Sequence, residues 1–230
     1  MKIVVSSPFR AGNSWLVGLL CRSLAMKRAD FGVITPSAVE NMEDGTVIRT
    51  NFLINETNIG EAQGIRLLRN IPDAVIAKLW FGVKNYIGQP RSISPSFQSF
   101  LNEVATHPVE WRTPKNFGEL AINSHIELVN QFIHENLIHH MAPADAITVV
   151  SYEELSHDAG GWVKKFAEAR NIPIAANPYS VAVNIAPPNS PEGAVDLVEA
   201  NWCASNLSGE AFRKISNRVN VIRERMAIQN

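Results

Sequence analysis

The first twenty residues constrain this chain most: Met1-Lys-Ile-Val-Val-Ser-Ser-Pro-Phe-Arg-Ala-Gly-Asn-Ser-Trp-Leu-Val-Gly-Leu-Leu20. A short apolar run, Ile3 to Val5, enters a turn at Ser7–Gly12. An apolar helix then begins near Asn13 or Ser14. Strand, tight loop and helix start, in that order, build an anion site. The first turn of a helix leaves backbone N–H groups unpaired and carries a partial positive charge. Arg10 adds a full charge and a planar fork of donors suited to phosphate. Gly12 lets the backbone come close to a ligand. The alternative is an ordinary strand-to-helix turn in which Asn13 and Ser14 only cap the helix.

The loop is not a nucleoside-triphosphate loop of the form G-x-x-x-x-G-K-[ST]. Ser7 stands at the first glycine and Asn13 at the lysine. Phe9-Arg-Ala-Gly-Asn-Ser-Trp-Leu16 instead resembles the 5′-phosphosulfate loop of sulfotransferases, P-[KR]-S-G-[NT]-[TS]-W-L. Arg10, Gly12, Asn13, Ser14 and Trp15 match; Phe9 and Ala11 depart. Two later segments resemble the same family. Ile65-Arg-Leu-Leu-Arg-Asn-Ile-Pro-Asp-Ala-Val-Ile-Ala-Lys78 resembles its I-x-L-[VL]-R-[DN]-P-R-D-x-[VA]-x-S. Val149-Val-Ser-Tyr-Glu-Glu-Leu155, with Asn171-Ile-Pro173 after it, resembles its R-Y-E-[DE]-L strand end and later G-[IL]-P.

The resemblance implies a three-layer, P-loop-like fold and a donor, 3′-phosphoadenosine 5′-phosphosulfate (PAPS), with no metal. It places the donor on Arg10, Ala11, Gly12, Asn13, Ser14, Trp15, Arg69 and Tyr152. Arg69 falls on the family's arginine for the 3′-phosphate, and Trp15 and Tyr152 on its aromatic contacts to adenine. The serine expected in the following helix is Ala77, which removes one hydroxyl donor. The family's K-[TS]-H segment aligns with Arg49-Thr50-Asn51. Arg49 keeps the charge, but the amide of Asn51 cannot serve as a general base. Arg10, Arg49, Asn51 and His125 are therefore the candidate catalytic positions, with Glu56 and Glu61 as further candidates for the base. The acceptor is a small molecule or a glycan. Two rival readings are a non-catalytic PAPS- or phosphate-binding member of the fold and a P-loop kinase. Asn13 at the lysine position disfavours the kinase.

Composition sets the outer limits. At 230 residues, 46% hydrophobic and 19% charged, the chain suits one soluble domain, 1–230, with a sizeable core. A net charge of −1 supplies no field to recruit nucleic acid or a membrane, and leaves a homodimer open. Cys21 and Cys203 read as free thiols, not a disulfide framework. With no leader or membrane-length apolar run, a cytoplasmic protein is expected.

Periodicity gives strands at Ile3–Ser6, Thr46–Thr50, Ile65–Arg69 and Ala146–Ser151. Helices are expected at Asn13–Lys27, Pro72–Val83, Ser96–Ala105, Phe117–Met141, Asp158–Ala169, Gly193–Ala204 and Ser208–Met226. Residues 173–191 read as a connector. Strands alternating with helices make the class α/β, with a central parallel sheet of about four to five strands flanked by helices and a helical C-terminal segment. Ligands in such sheets bind beyond the carboxyl ends of the strands, where Arg10, Asn51, Arg69 and Tyr152 all fall. His134-Glu135 with His139 does not make a zinc helix, because His139 is at i+5 rather than i+4. His139 and His140 read as an exposed helix end.

Overall fold

The computed structural model describes residues 1–75, 77, 124–144, 146–185 and 209–229. They fall into two compact units, residues 1–70 with 139–197 and residues 71–138 with 198–230. The first unit holds the sheet. Its strands are β1 (Lys2–Ser6), β2 (Lys27–Asp30), β3 (Thr46–Thr50), β4 (Gln63–Leu68) and β5 (Ile147–Ser151), in the spatial order β2-β3-β1-β4-β5. Every pairing is parallel. Its helices are α1 (Asn13–Ser23), α2 (Pro36–Glu40) and α3 (Glu56–Ile59); α5 (Tyr152–Glu168) and α6 (Pro178–Ile185) follow β5. Helix α4 (Ser124–Met141) runs from the second unit into the first.

Central strands of a parallel sheet are covered on both faces, so they read as unbroken apolar runs. In β1, Ile3 and Val5 join one cluster with Leu16, Leu19 and Leu20 of α1 and Val163 and Phe166 of α5. Val4 turns to the other face, with Ile48, Ile54 and Ile59. The same alternation turns Arg66 of β4 inward, where it is 1% exposed. Its guanidinium donates to the carbonyls of Ile54, Ala142 and Pro143 at 2.8–3.1 Å, not to a carboxylate. Burial lowers its pKa. Arg66 thus ties two loops to the sheet.

The expected class is present, with five strands. Four strands match the sequence reading, and β2 is the addition. The helix expected to reach Lys27 stops at Ser23. Ala25 takes a left-handed φ of 53°, and the Met26 N–H returns to the Cys21 carbonyl at 3.0 Å. This is a Schellman-type end without the glycine that normally announces it. Lys27-Arg-Ala-Asp30 is then a charged edge strand, polar because its outer edge faces solvent. Helix α5 starts six residues before the expected Asp158. Ser151 caps it by accepting from Glu154 N–H at 3.0 Å. Asp158 breaks the helical dihedrals and caps a second segment through Gly161 N–H at 2.8 Å. Helix α6 lies in the stretch expected to be a connector; Asn177 Oδ1 accepts from Tyr179 N–H at 3.0 Å.

In the second unit, residues 71–75 and 77 are helical, most of α4 is present, and α7 (Gly209–Gln229) closes the chain. Ile133, Leu137, Ile215, Val219 and Ile222 are buried. Buried Arg218 donates to buried Asn130 at 2.8 Å. The expected helices at 96–105 and 193–204, the start of the one at 117–141, Ser208 and Cys203 lie outside the described residues. Cys21 is a half-buried free thiol whose pKa burial raises. Among the described residues, no helix is long and apolar enough to cross a membrane.

Gly64 of β4 is closely packed against side chains of neighbouring elements. A Cβ there would meet the Ile147 Cδ1 and Ile59 Cδ1 methyls. Gly64→Val is expected to destabilise the protein by about 1–3 kcal/mol through overpacking, read as a shift of the urea unfolding midpoint.

Candidate functional site

The loop after β1 is pinned from behind. Ser7 N–H and Asn13 Nδ2 both donate to the Thr50 carbonyl at the end of β3, at 3.3 and 2.8 Å. Ala11 N–H closes a turn onto the Pro8 carbonyl at 3.4 Å. Arg10 and Gly12 take left-handed φ values of 66° and 97°. Gly12 is the N-cap of α1, and no side chain caps the helix. The capping alternative for Asn13 and Ser14 therefore fails: Asn13 is turned back to β3, and the Ser14 hydroxyl accepts from Arg49 Nη1 at 2.6 Å. Trp15 and Leu16 N–H groups already return to the Gly12 carbonyl. Among the described residues, the N–H groups of Gly12, Asn13 and Ser14 have no acceptor. In the same segment the buried Ser7 Oγ, Asn13 Oδ1 and Trp15 Nε1 have no hydrogen-bond partner among the described residues. Buried polar atoms are nearly always paired, so orphans clustered at a helix start fit a polar ligand.

The neighbouring strand ends supply the remaining groups. On one side Arg49 of β3 joins Ser14 to Asp30 of β2, its Nε lying 2.7 Å from Asp30 Oδ1. On the other side Arg69, just past β4, is 8% exposed and donates from Nη1 to the Arg10 carbonyl at 3.0 Å. Its guanidinium carbon lies 4.6 Å from the centroid of the Tyr152 ring, a cation–π contact. Tyr152 also meets Trp15 edge-on, with centroids 5.7 Å apart. It closes over Gly12, where a Cβ would stand 2.7 Å from Tyr152 Cδ2. Arg69, Tyr152, Trp15 and the loop thus form one packed unit.

Of the residues singled out in the sequence, the first unit brings Arg10, Ala11, Gly12, Asn13, Ser14, Trp15, Arg49, Asn51, Arg69 and Tyr152 to one rim. Asn51 is half-buried directly after β3. His125 lies in α4 within the second unit, and its side chain is outside the described residues. Glu56 opens α3, and Glu61 is exposed just beyond it.

Two residues went unrecognised in the sequence. Asp30 was hidden because it falls in the polar stretch expected after Lys27, which reads as loop and not as the strand β2. His139 was read as exposed, yet it is 4% exposed. The spacing that excludes a zinc helix turns it inward from α4, with Nδ1 unpartnered. Burial, aided by the Arg66 guanidinium, pushes its pKa down to about 4, against a backbone hydrogen bond with Asn51 that raises it. His140 is exposed, and its Nε2 lies 3.1 Å from the Arg69 carbonyl. A basic residue in the last turn followed by a strand was the available signal, but it does not distinguish an inward histidine from a solvated one.

No family model matches this chain, and no curated protein does. Among solved structures, a similar fold is mouse sulfotransferase SULT7A1 complexed with PAP, at TM-score 0.45 and 14% identity, covering 80% of this chain. This chain spans 64% of that neighbour's length, less than two thirds. A likeness this distant has no bearing on the chemistry of the loop.

Two outcomes follow from the site. Gly12→Ala combines a left-handed φ with a clash against Tyr152 and is expected to displace that ring, read as loss of the near-ultraviolet circular dichroism of the Trp15–Tyr152 pair. His139 is held neutral, so the unfolded chain binds the extra proton first. Its contribution to stability is complete above its ordinary pKa of 6.5 and is lost as the pH falls toward about 4. At most about 3 kcal/mol is involved. Comparing unfolding free energies of wild type and His139→Gln between pH 7 and pH 4 checks this, the variant showing the shallower slope.

Proposed function

We propose that this chain binds PAPS on the loop of residues 7–15 and transfers its sulfonate to a hydroxyl or amine. The observation that carries the reading is the uncapped start of α1. Three N–H donors and the orphaned Ser7 hydroxyl gather there, between Arg49 and Arg69. PAPS supplies an activated sulfonate on a 5′-phosphate. The loop N–H groups, Arg10 and Arg49 would hold the phosphosulfate and stabilise the charge that grows on the leaving phosphate oxygen. The donors of Arg69 not spent on Arg10 suit the 3′-phosphate, and Trp15 and Tyr152 flank the adenine.

Exposed apolar residues follow three adjacent strands: Val33 after β2, Phe52 after β3 and Phe9 after β1, at 65%, 52% and 42% exposure. They favour a small acceptor with an apolar body over a glycan. The near-neutral charge of the chain suits a small-molecule partner, and the reading requires neither metal nor membrane.

Asn51 favours a second reading, a member of the fold that binds PAPS or its product without turnover. Its amide cannot take the acceptor's proton. Both readings make the same first demand. Calorimetry is expected to show 3′,5′-ADP binding far more tightly than 5′-AMP or ATP, unchanged by EDTA. Arg69→Ala is expected to weaken it at least tenfold, the loss of about 1.5–3 kcal/mol typical of a charged hydrogen bond. Equal affinity for 3′,5′-ADP and 5′-AMP, or a requirement for magnesium, would sink the PAPS site and revive a phosphoryl-transfer enzyme.

A further inference from the structure

Asp30 has no place in the reading above, yet it is the best-connected carboxylate near the loop. Parallel register sets it beside Arg49, as Asp30↔Arg49 between β2 and β3. Arg28, two residues earlier and on the same side of the strand, donates from Nε to both carboxylate oxygens at 3.2 Å and pairs through Nη2 at 3.2 Å. Asp30 in turn holds Arg49 Nε at 2.7 Å. Arg49 then reaches Ser14 Oγ at 2.6 Å, in the first turn of α1. Arg28, Asp30, Arg49 and Ser14 form a chain of charged bonds from the sheet edge to the loop.

A free arginine side chain has many rotamers, and fixing it beforehand removes an entropic cost from ligand binding. With Nε held by Asp30 and Nη1 by Ser14, the guanidinium plane of Arg49 is fixed from two directions. Among the described residues its Nη2 makes no hydrogen bond, which leaves it to an anion. We infer that Asp30 is a positioning residue, which presets Arg49 as the second cation of the anion site. This rests on the loop being an anion site, and it extends that reading to β2, a strand the sequence does not announce.

The sign of the effect separates positioning from simple electrostatics. Deleting a negative charge beside an anion site strengthens anion binding by Coulomb's law. Deleting a positioning carboxylate weakens it. The test is a double-mutant cycle of Asp30→Asn and Arg49→Ala, titrated calorimetrically with 3′,5′-ADP and separately with inorganic pyrophosphate. Thermal unfolding of each protein checks the fold, and Asp30→Ser replaces Asp30→Asn should the latter fold poorly. The expected result is a loss of about threefold to tenfold in affinity on replacing Asp30, shrinking to less than about twofold when Arg49 is already alanine. A rise in affinity, no change, or an equal loss in both backgrounds overturns the inference. Wild type that binds pyrophosphate but not 3′,5′-ADP removes the PAPS reading and leaves the cycle to be read with pyrophosphate. Binding of neither probe overturns both.

Discussion

One residue, Thr50, organises this site. It is 1% exposed at the end of β3. Its carbonyl accepts from Ser7 N–H and Asn13 Nδ2, which fixes both ends of the loop after β1. Its hydroxyl donates to the Gly32 carbonyl at 2.7 Å and accepts from Phe52 N–H at 3.1 Å. The loops after β1, β2 and β3 are therefore held by one side chain and one peptide group. Turning Asn13 back onto Thr50 has a further effect. The side chain best suited to cap α1 is occupied elsewhere, so the first N–H groups of the helix stay available. An uncapped helix start normally costs about 1 kcal/mol; keeping it open is consistent with a ligand taking the cap's place.

The arginines show how burial sorts one residue type into different tasks. Arg66 faces into the layer between sheet and loops and spends its donors on three carbonyls. Arg69 is nearly as buried but sits at the rim, divided between the Arg10 carbonyl and the Tyr152 ring. Arg49 is half-exposed and tethered at two points. Arg49 lies on β3, Arg66 on β4 and Arg69 just beyond β4, the two strands that flank β1. The pleat decides which turn toward α1 and which turn away.

Much of the fold was legible because its signals are local. The apolar runs of β1, β3, β4 and β5 are those of strands covered on both faces, and the loop from Ser7 to Gly12 carries its own turn chemistry. The failures share a cause. Ala25 ends α1 in a left-handed conformation that alanine seldom takes, so no residue type marked the stop; Lys27 was taken into the helix, and the polar residues up to Asp30 carried no strand signal. Asn177 starts α6 in a stretch whose prolines and asparagines suggested a connector. The burial of His139 comes with neighbours far away in the chain, Arg66 and Asn51, and nothing within its own segment records them.

The sequence by itself determined the α/β class, the strand–loop–helix order at the N-terminus, and the convergence of Arg10, Asn51, Arg69 and Tyr152 at the strand ends. These follow from short-range patterning and from the rule that parallel strands end on one side. Only the tertiary structure decided the partners: Asn13 with Thr50, Arg69 with Tyr152, and Asp30 with Arg49 across a strand pair that the sequence conceals. Partner choice depends on strand register and on the face each side chain takes. Both are set by the packing of segments far apart in the chain, so no local pattern contains them.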